Sequence, residues 1–502
     1  MCLKGRRRVS GGTREVSRGR SSNGPRMCSS EGPNDRKSET ISFLGRAMPQ
    51  KPKSIGRAIG KSGEAAMADV RVEAPTAERG NERSGTTEEL CCLMELAVER
   101  QNCFAALARV KANKGSPGID GMTVGELPAY LKLNWPRIRE ELLAGRYRPQ
   151  PVRRVAIPKP GGGERELGIP TVLDRFIQQA LLQVLQPRFD PTFSEASYGF
   201  RPGRRAHDGV RRAQGYVQEG RRFVVDVDLE KFFDRVNHDV LMGRLANRIT
   251  DKRMLGLIRR YLGAGMLANG VAIERHEGTP QGGPLSPLLA NVLLDEVDKE
   301  LEKRGHAFVR YADDLNVYVR SRRAGERVMA ALRCLFAGLR LRVNEAKSAV
   351  APAIKRKFLG FSFWVAKGRV VKLRVSSQAL ERLKDRVREI SRRNGGRSLA
   401  SVCAELGRYL AGWKGYFRIA DTPRVLADID QWIRHRLRAL QLKHWKRGTT
   451  VYRELSARGM SRHAAARVAA NARRWWHNSA MAIHIALPNA LFDRLGVPRL
   501  SP

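Results

Sequence analysis

The chain has 502 residues, 42% of them hydrophobic, and a formal net charge of +43. This length predicts two or three domains with substantial cores, and the charge indicates nucleic acid as the working partner. The sequence contains neither an apolar run of transmembrane length nor a signal-peptide pattern, so no membrane association is expected. Its seven cysteines are scattered without a CxxC pair, which argues against a disulfide framework or a zinc ribbon and fits a reducing cytoplasm.

The N-terminal part of the chain changes character near residue 85. Residues 1–85 are rich in Arg, Ser, Gly and Glu without periodicity, so we expect them to be disordered or to precede the biological start. A helical pattern then runs over 88–110 and stops at the turn-forming residues 113–118. Another helix is predicted over 131–143.

Two strands, 152–157 and 166–169, are predicted next, joined by a glycine-rich turn with Lys159 and Arg165 at its base. Backbone N–H groups and cations in such a hairpin can lie against phosphates. An ordinary β-hairpin explains the pattern about as well. A helix over 173–185 follows.

A first pair of carboxylates lies in an apolar run, 223–229, that predicts a buried strand feeding a helix with Phe232 and Phe233. An Asp at the carboxyl end of such a strand is where α/β folds place ligands. Because strand side chains alternate, Asp226 and Asp228 share a face, and the pattern does not choose between them. Asp228 is nearer the strand end and is preferred. Alternatively, both cap the following helix.

A second candidate is the Pro/Gly-rich loop 278–287, which leads into an amphipathic helix from Leu288. The free N–H groups of such a junction suit a template backbone or an incoming nucleotide. An ordinary turn before a core helix is an equally good interpretation.

The third candidate is Asp313-Asp314, between strand-like runs at 307–310 and 315–319 that predict a hairpin. Two carboxylates at its tip are costly to hold together unless a cation neutralises them, so the pair indicates a Mg²⁺ site, with a solvated turn as the alternative. Two-metal nucleotidyl transfer uses such carboxylates to bridge the ions. Asp228 can join this pair only if its strand neighbours the hairpin in one sheet.

The order of these motifs resembles that of reverse transcriptases, and in particular the group II intron-encoded proteins that also act as RNA maturases. Residues 311–314 resemble the YADD box, 228–234 the first carboxylate motif, and Pro280-Gln281-Gly282 the nucleotide-facing PQG motif. Asn344 with Lys347, and the FLG motif at 358–360, follow in the same order. Upstream, residues 114–121 and 198–203 also resemble segments of this family, so the resemblance covers about residues 90–450.

The resemblance implies roles for individual residues. Asp228, Asp313 and Asp314 would be catalytic and hold Mg²⁺, and Phe233 would be the steric gate that favours dNTPs. The remaining dNTP-binding residues would be Lys159, Arg165, Gln281 and Lys347.

Basic residues interleaved with Trp and Tyr over 376–450 resemble the thumb, or maturase, domain of this family. Helical Arg and Lys side chains can follow RNA phosphates. The predicted RNA-binding residues are Arg408, Lys414, Arg434, Arg436 and Arg438, with a solvated basic face as the alternative for the last three. Many relatives continue into an endonuclease rich in Cys and His, and its absence is inferred here, as in bacterial group IIC introns.

These observations predict an α+β fold, a right-hand polymerase with fingers and palm at 86–365, a thumb at 376–450 and a basic DNA-binding-like tail at 451–502. The expected function is that of an RNA-directed DNA polymerase and intron maturase, with Mg²⁺, dNTPs, group II intron RNA and target DNA as ligands. The alternatives are a domesticated reverse transcriptase in phage defence, CRISPR spacer acquisition or retron synthesis, and a splicing factor with an inactive polymerase. An intact YADD box and Asp228 weigh against the last.

Overall fold

The computed structural model describes residues 92–158, 164–268, 271–273 and 275–501. Of two compact units, Met1–Glu78 and Arg79–Pro502, all of these residues belong to the second. Residues 1–85, for which disorder is expected, lie outside the described residues.

Three helices precede the first sheet. The helix predicted from residue 88 is interrupted, because Glu99 takes an extended backbone (φ −62°, ψ 144°) that ends one helix and starts the next. The predicted helix 131–143 begins earlier, at Leu127. The bounds are α1 Leu93–Ala97, α2 Arg100–Asn113 and α3 Leu127–Leu143.

The glycine-rich hairpin forms part of a four-stranded sheet. Its strands, β1 (Val152–Pro158) and β2 (Glu164–Ile169), are antiparallel, and β1 also pairs with β4 (Met266–Ala268), which pairs with β5 (Val271–Ile273). A long helix, α4 (Val172–Phe189), starts directly after β2, where the Thr171 side chain caps it by accepting a hydrogen bond from the Asp174 N–H.

The second four-stranded sheet has the order β6 (Ala307–Tyr311), β7 (Asp314–Val319), β3 (Phe223–Val227), β8 (Ala349–Pro352). Helices pack around it because its strands are almost continuously apolar, as strands buried on both faces must be. Strands and helices follow each other in this part as α5 Ala206–Gln218, β3 Phe223–Val227, α6 His238–Ala246, α7 Lys252–Gly263, α8 Ser286–Lys303, β6 Ala307–Tyr311, β7 Asp314–Val319, α9 Arg322–Gly338 and β8 Ala349–Pro352.

One expectation for this region is wrong. The segment after β3 does not feed directly into a helix, since Phe232–Asp234 form a single 3₁₀ turn and α6 starts at His238. Lys231 takes a left-handed conformation (φ 47°) that ends the extended run.

A third, three-stranded sheet connects this region to the C-terminal helices. It consists of β9 (Lys357–Phe358), β10 (Phe361–Val365) and β11 (Val371–Val375) in the order β11-β10-β9. The step between β9 and β10 is left-handed at both Leu359 and Gly360. This places the Leu359 carbonyl 2.9 Å from the Tyr416 hydroxyl, which donates to it.

The C-terminal helices have a hydrophobic core of their own. Residues from 383 to 500 contribute to that core, so the segment predicted as a separate tail from 451 packs with the preceding helices. The reason is its apolar side chains, among them Val451, Ile483 and Phe492, which are fully buried. The helices are α10 Ser377–Ile390, α11 Leu399–Phe417, α12 Pro423–Trp445, α13 Gly448–Ala457, α14 Arg462–Ala470, α15 Trp475–Ser479 and α16 Asn489–Arg494.

The predicted fold class is confirmed, with mixed α/β structure followed by an all-α C-terminal part. Within the part of the chain that the structure describes, none of the helices combines the length and apolarity needed to cross a membrane.

Candidate active site

The second sheet brings the two carboxylate motifs together. Strand β3 pairs with β7 in antiparallel register, with Val227 opposite Leu315. Asp228 therefore follows β3 at the position where Asp314 begins β7, and the β6–β7 turn holds Asp313 beside it. The geometric requirement that these strands be neighbours is met.

A turn from a distant part of the chain holds the backbone of Asp228. Its N–H donates to the Ser348 hydroxyl at 3.0 Å, and its carbonyl accepts from the Asn344 N–H at 2.8 Å. The same turn carries Lys347, whose Nζ lies 3.2 Å from Asp228 Oδ2. Apart from this ion pair, that buried oxygen accepts no hydrogen bond.

Asp226 has a different environment, which separates it from Asp228. Its Oδ2 accepts from Arg356 Nε at 2.7 Å, and the same guanidinium donates to the Lys347 carbonyl. Burial raises the pKa of Asp226, and the Arg356 charge opposes that rise. Asp226 is thus used in an internal ion pair.

The carboxyl group of Asp314 has its pKa raised to about 7. Partial loss of water in the cleft is the larger cause, and the negative charges of Asp313, Asp228 and Asp226 add to it, while Lys347 opposes it. Mutual repulsion of this kind marks a site with an excess of negative charge.

These oxygen donors fit a hard divalent cation such as Mg²⁺. Asp228 Oδ2, which accepts no hydrogen bond, and the repulsion felt by Asp314 both indicate room for a further positive charge. Among the described residues, however, no three acidic, His or Cys side chains are already gathered as a ligand set. Lys347 occupies one side of Asp228 instead.

The Pro280-Gln281-Gly282 loop lies against the 3₁₀ turn after β3. Gln281 Nε2 donates to Asp234 Oδ1 at 3.0 Å, and the Thr279 N–H donates to the Phe233 carbonyl. Phe232 is buried in the core, whereas Phe233 is partly exposed beside Phe200, with ring centroids 6.5 Å apart. The two motifs therefore share one wall of the cleft.

The two remaining predicted nucleotide contacts belong to the glycine-rich hairpin. Lys159 lies outside the described residues. The backbone of Arg165 pairs with Ile157 in the β1–β2 hairpin, and its side chain is not described.

The predicted RNA-binding residues divide into two groups. Arg408 and Lys414 lie exposed on α11, although Lys414 Nζ donates to the Arg499 carbonyl at 2.7 Å. Arg434 is only 2% exposed, so its prediction as a surface contact is wrong. Its guanidinium donates to Asp493 and to the Val497 carbonyl inside the fold.

Arg436 and Arg438 are partly buried and also make internal contacts. Arg436 lies over the Trp432 ring and donates to the Ser391 hydroxyl, while Arg438 donates to the Leu487 carbonyl. Burial lowers the pKa of both guanidinium groups. Arg434, Arg436 and Arg438 on α12 therefore do not form the solvated basic face that was the alternative interpretation of these residues.

Residues that the sequence interpretation missed lie behind the carboxylates. Arg356 and Ser348 support Asp226 and Asp228, and a buried Arg310–Asp298 pair lies under the YADD turn. One signal was available: Asn291, Asp295 and Asp298 recur along one face of an otherwise apolar helix, where polar side chains need partners.

Comparison with known families agrees with this geometry. The reverse transcriptase (RNA-dependent DNA polymerase) family model matches residues 157–363. The group II intron maturase-specific domain model matches residues 380–459.

Individual proteins are similar to this chain over part of their length. Protein YkfC of Escherichia coli K12 is 38% identical over 214 residues, which cover 41% of this chain and 56% of that protein. The group II intron-encoded protein LtrA of Lactococcus lactis is 37% identical over 197 residues, 39% of this chain and 33% of LtrA. The chain thus matches about half and about a third of these relatives. A solved Cas6-RT-Cas1–Cas2 complex superposes with a TM-score of 0.33 at 25% identity, over 49% of this chain and 26% of that one.

Proposed function

We propose that this chain, which belongs to the reverse transcriptases of group II introns, is an RNA-directed DNA polymerase that also binds its intron RNA as a maturase. It would promote splicing of that RNA and copy it into DNA at an insertion site. The observation that carries the polymerase part is the pairing of β3 with the YADD hairpin, which brings Asp228 to Asp313 and Asp314.

Asp228, Asp313 and Asp314 would hold Mg²⁺ in this proposal. Reverse transcriptase domains generally depend on divalent metal, and ions held here would activate the attacking 3′-hydroxyl and offset the charge of the triphosphate. Asp228 would act as a ligand through Oδ1, or through Oδ2 once the Lys347 ammonium leaves that oxygen. Lys347 would then be free to contact the phosphates of the nucleotide.

The nucleotide would lie between the carboxylates and the PQG loop. The ring of Phe233 is partly exposed on that wall and would exclude a ribose 2′-hydroxyl. Gln281 would face the incoming dNTP, with its amide oriented by Asp234. Lys159 and Arg165, at the base of the glycine-rich hairpin, are proposed to reach the triphosphate.

The maturase part of the proposal rests on the C-terminal helices. Arg408 on α11 and Arg418 directly after it are exposed, and their side chains make no hydrogen bond or ion pair with other described residues, so both can reach phosphates. Lys414 lies on the same helix. We propose this helix as an RNA-binding surface in place of the Arg434 cluster, with target DNA and the RNA–DNA product as further ligands.

Primer extension on an RNA template tests the polymerase. The intact chain should synthesise cDNA with dNTPs and Mg²⁺, and Asp313→Asn should abolish synthesis while leaving the thermal midpoint nearly unchanged. Absence of metal-dependent cDNA from a folded, intact chain would sink the proposal.

Splicing of the flanking intron tests the maturase independently. We expect faster splicing at low Mg²⁺ with the protein present, and the Asp313→Asn protein should support it as well as the native one, because the transesterifications belong to the RNA. Equal rates with and without protein contradict the maturase role.

A further inference from the structure

We infer that Arg310 is a positioning residue for the metal-binding turn, holding its backbone from the buried side through Asp298 and Asn291. This inference deepens the proposed polymerase function and rests on it. Arg310 immediately precedes the YADD box, at the penultimate position of β6.

The ion pair beneath the turn is completely buried. The side chains of Arg310 and Asp298 are 1% and 0% exposed, and Arg310 Nε lies 2.8 and 2.9 Å from the two carboxylate oxygens. Its second contact, from Nη2 to Asp298 Oδ2, is 2.5 Å long. These contacts fix the guanidinium in one orientation, as is usual for a bidentate arginine–carboxylate pair.

The third nitrogen of the guanidinium points at the turn itself. Arg310 Nη1 donates to the Ala312 carbonyl at 2.9 Å and to Asn291 Oδ1 at 2.9 Å. Ala312 has φ +59°, a left-handed conformation that an alanine adopts at a cost of about 1 kcal/mol or more. The hydrogen bond to its carbonyl holds the peptide that leads directly into Asp313.

A second contact fixes the turn from the same side. Asn291 Nδ2 donates to the Gly199 carbonyl at 3.0 Å, so one side chain joins the guanidinium to the neighbouring loop. Gly199 lies so close that a Cβ there would be 2.1 Å from the Ala312 nitrogen. The loop also pairs with β6, since the Tyr198 N–H donates to the Arg310 carbonyl.

Stability alone does not account for this arrangement. Buried ion pairs are often no more stable than apolar residues of similar volume. A lysine has no planar fork and could not bind Asp298 in two places while also reaching Ala312 and Asn291. The geometry assigns to Arg310 the task of keeping the carboxylates of Asp313 and Asp314 at a fixed position relative to Asp228.

The test is the double variant Arg310→Met/Asp298→Leu. It replaces both members of the ion pair by apolar side chains and therefore leaves no buried charge. The matched control is Arg248→Met/Asp295→Leu, which removes a pair one turn earlier on α8 whose Asp295 is also buried. Thermal unfolding, kcat, KM for dNTP and the rise in thermal midpoint on adding Mn²⁺ are measured for each.

We expect the Arg310 double variant to fold, to keep KM within about twofold, and to lose about 100-fold in kcat, the effect of a displacement of roughly 1 Å at reacting groups. Its Mn²⁺-induced stabilisation should fall, while the control keeps both properties. Arg310→Lys should not restore kcat. A folded double variant with kcat within about threefold of native overturns the inference.

If the double variant does not fold, Asn291→Ala tests whether the Arg310 network positions the metal-binding turn. This variant keeps the Arg310–Asp298 ion pair and the Arg310 contact with the Ala312 carbonyl, and it removes both amide contacts of Asn291, to Arg310 Nη1 and to the Gly199 carbonyl. It should fold with lower kcat and weaker Mn²⁺ stabilisation. Native values for both overturn the inference. An inactive native chain would sink the proposed function instead, and the Mn²⁺ measurement would still decide the role of Arg310.

Discussion

Replacing Arg434 by Met should destabilise the C-terminal helices rather than remove an RNA contact. Its side chain, 3% exposed, lies 3.4 Å from Asp430 and 3.0 Å from Asp493, and it also donates to the Val497 carbonyl. Asp430 in turn accepts from the N–H groups of Leu500 and Ser501. This network ties the last residues of the described chain to α12.

The expected loss in the free energy of unfolding depends on the contacts that Asp430 and Asp493 keep after the substitution. Removing one member of a buried pair costs about 3–5 kcal/mol. The lower end applies because Asp493 is 32% exposed and retains Arg499 at 2.8 Å, while Asp430 keeps its backbone donors. With about 3 kcal/mol lost and a urea dependence of about 1–3 kcal/mol/M, the unfolding midpoint should fall by roughly 1 M or more.

Tryptophan fluorescence is a suitable assay because five of the seven tryptophans belong to these helices, namely Trp413, Trp432, Trp445, Trp475 and Trp476. RNA affinity is measured in parallel as a function of salt, well below the unfolding temperature. Arg408→Met is the matched control, since Arg408 is exposed and has no internal contact among the described residues. It should leave the urea midpoint unchanged and reduce the salt slope by about one.

The opposite pattern would refute this reasoning. If Arg434→Met keeps the native urea midpoint and loses RNA affinity with a smaller salt slope, then its guanidinium contacts phosphate in solution.

The remaining predictions concern the cleft. Lys347→Met should increase the thermal stabilisation by Mn²⁺, because no ammonium competes for Asp228 Oδ2. The control Lys355→Met should not, because Lys355 is exposed and its side chain makes no ion pair among the described residues. Stabilisation of Lys347→Met no greater than that of the native chain would count against the ion pair. Phe233→Ala should raise incorporation of ribonucleotides relative to dNTPs in primer extension, and unchanged selectivity would reject the steric gate. Gly199→Ala should lower kcat about 100-fold, since its Cβ would displace the Ala312 nitrogen, and native kcat would contradict that contact. Because the pKa of Asp314 is raised to about 7, its ionisation destabilises the folded state as pH rises from about 4 to 7. In EDTA, Asp314→Asn should therefore add more to the free energy of unfolding at pH 8 than at pH 5, and an equal gain at both would disprove the shift.

The sequence was most informative where short-range pattern and chemistry coincide. The hairpin around Asp313-Asp314 and the strand before Asp228 follow from the apolar residues around them, and their pairing in one sheet is what the predicted metal site requires. The resemblance to group II intron reverse transcriptases is confirmed by the two family models. The roles of the individual site residues stay predictions.

Long-range partners were not predictable from local pattern. A run of arginines on a helix looks the same whether it faces solvent or, as with Arg434, an aspartate 59 residues away. Likewise, the residues around Asp226 in the sequence do not indicate that Arg356, 130 residues later, forms an ion pair with it. Charged side chains reach their partners through the tertiary fold, so the charge pattern predicts nucleic acid as a class of partner without identifying the side chains that face solvent.

The left-handed step at Leu359 and Gly360 has a consequence for protein engineering. The C-terminal helices have their own core and meet the rest of the chain partly through the Tyr416 hydroxyl and the tilted ring contact of Phe361 with Phe417, whose centroids are 5.1 Å apart. A chimaera that takes its C-terminal helices from a relative should keep these contacts as one set. The crossover point therefore belongs before the FLG motif, so that the step and the aromatic rings it contacts come from the same parent.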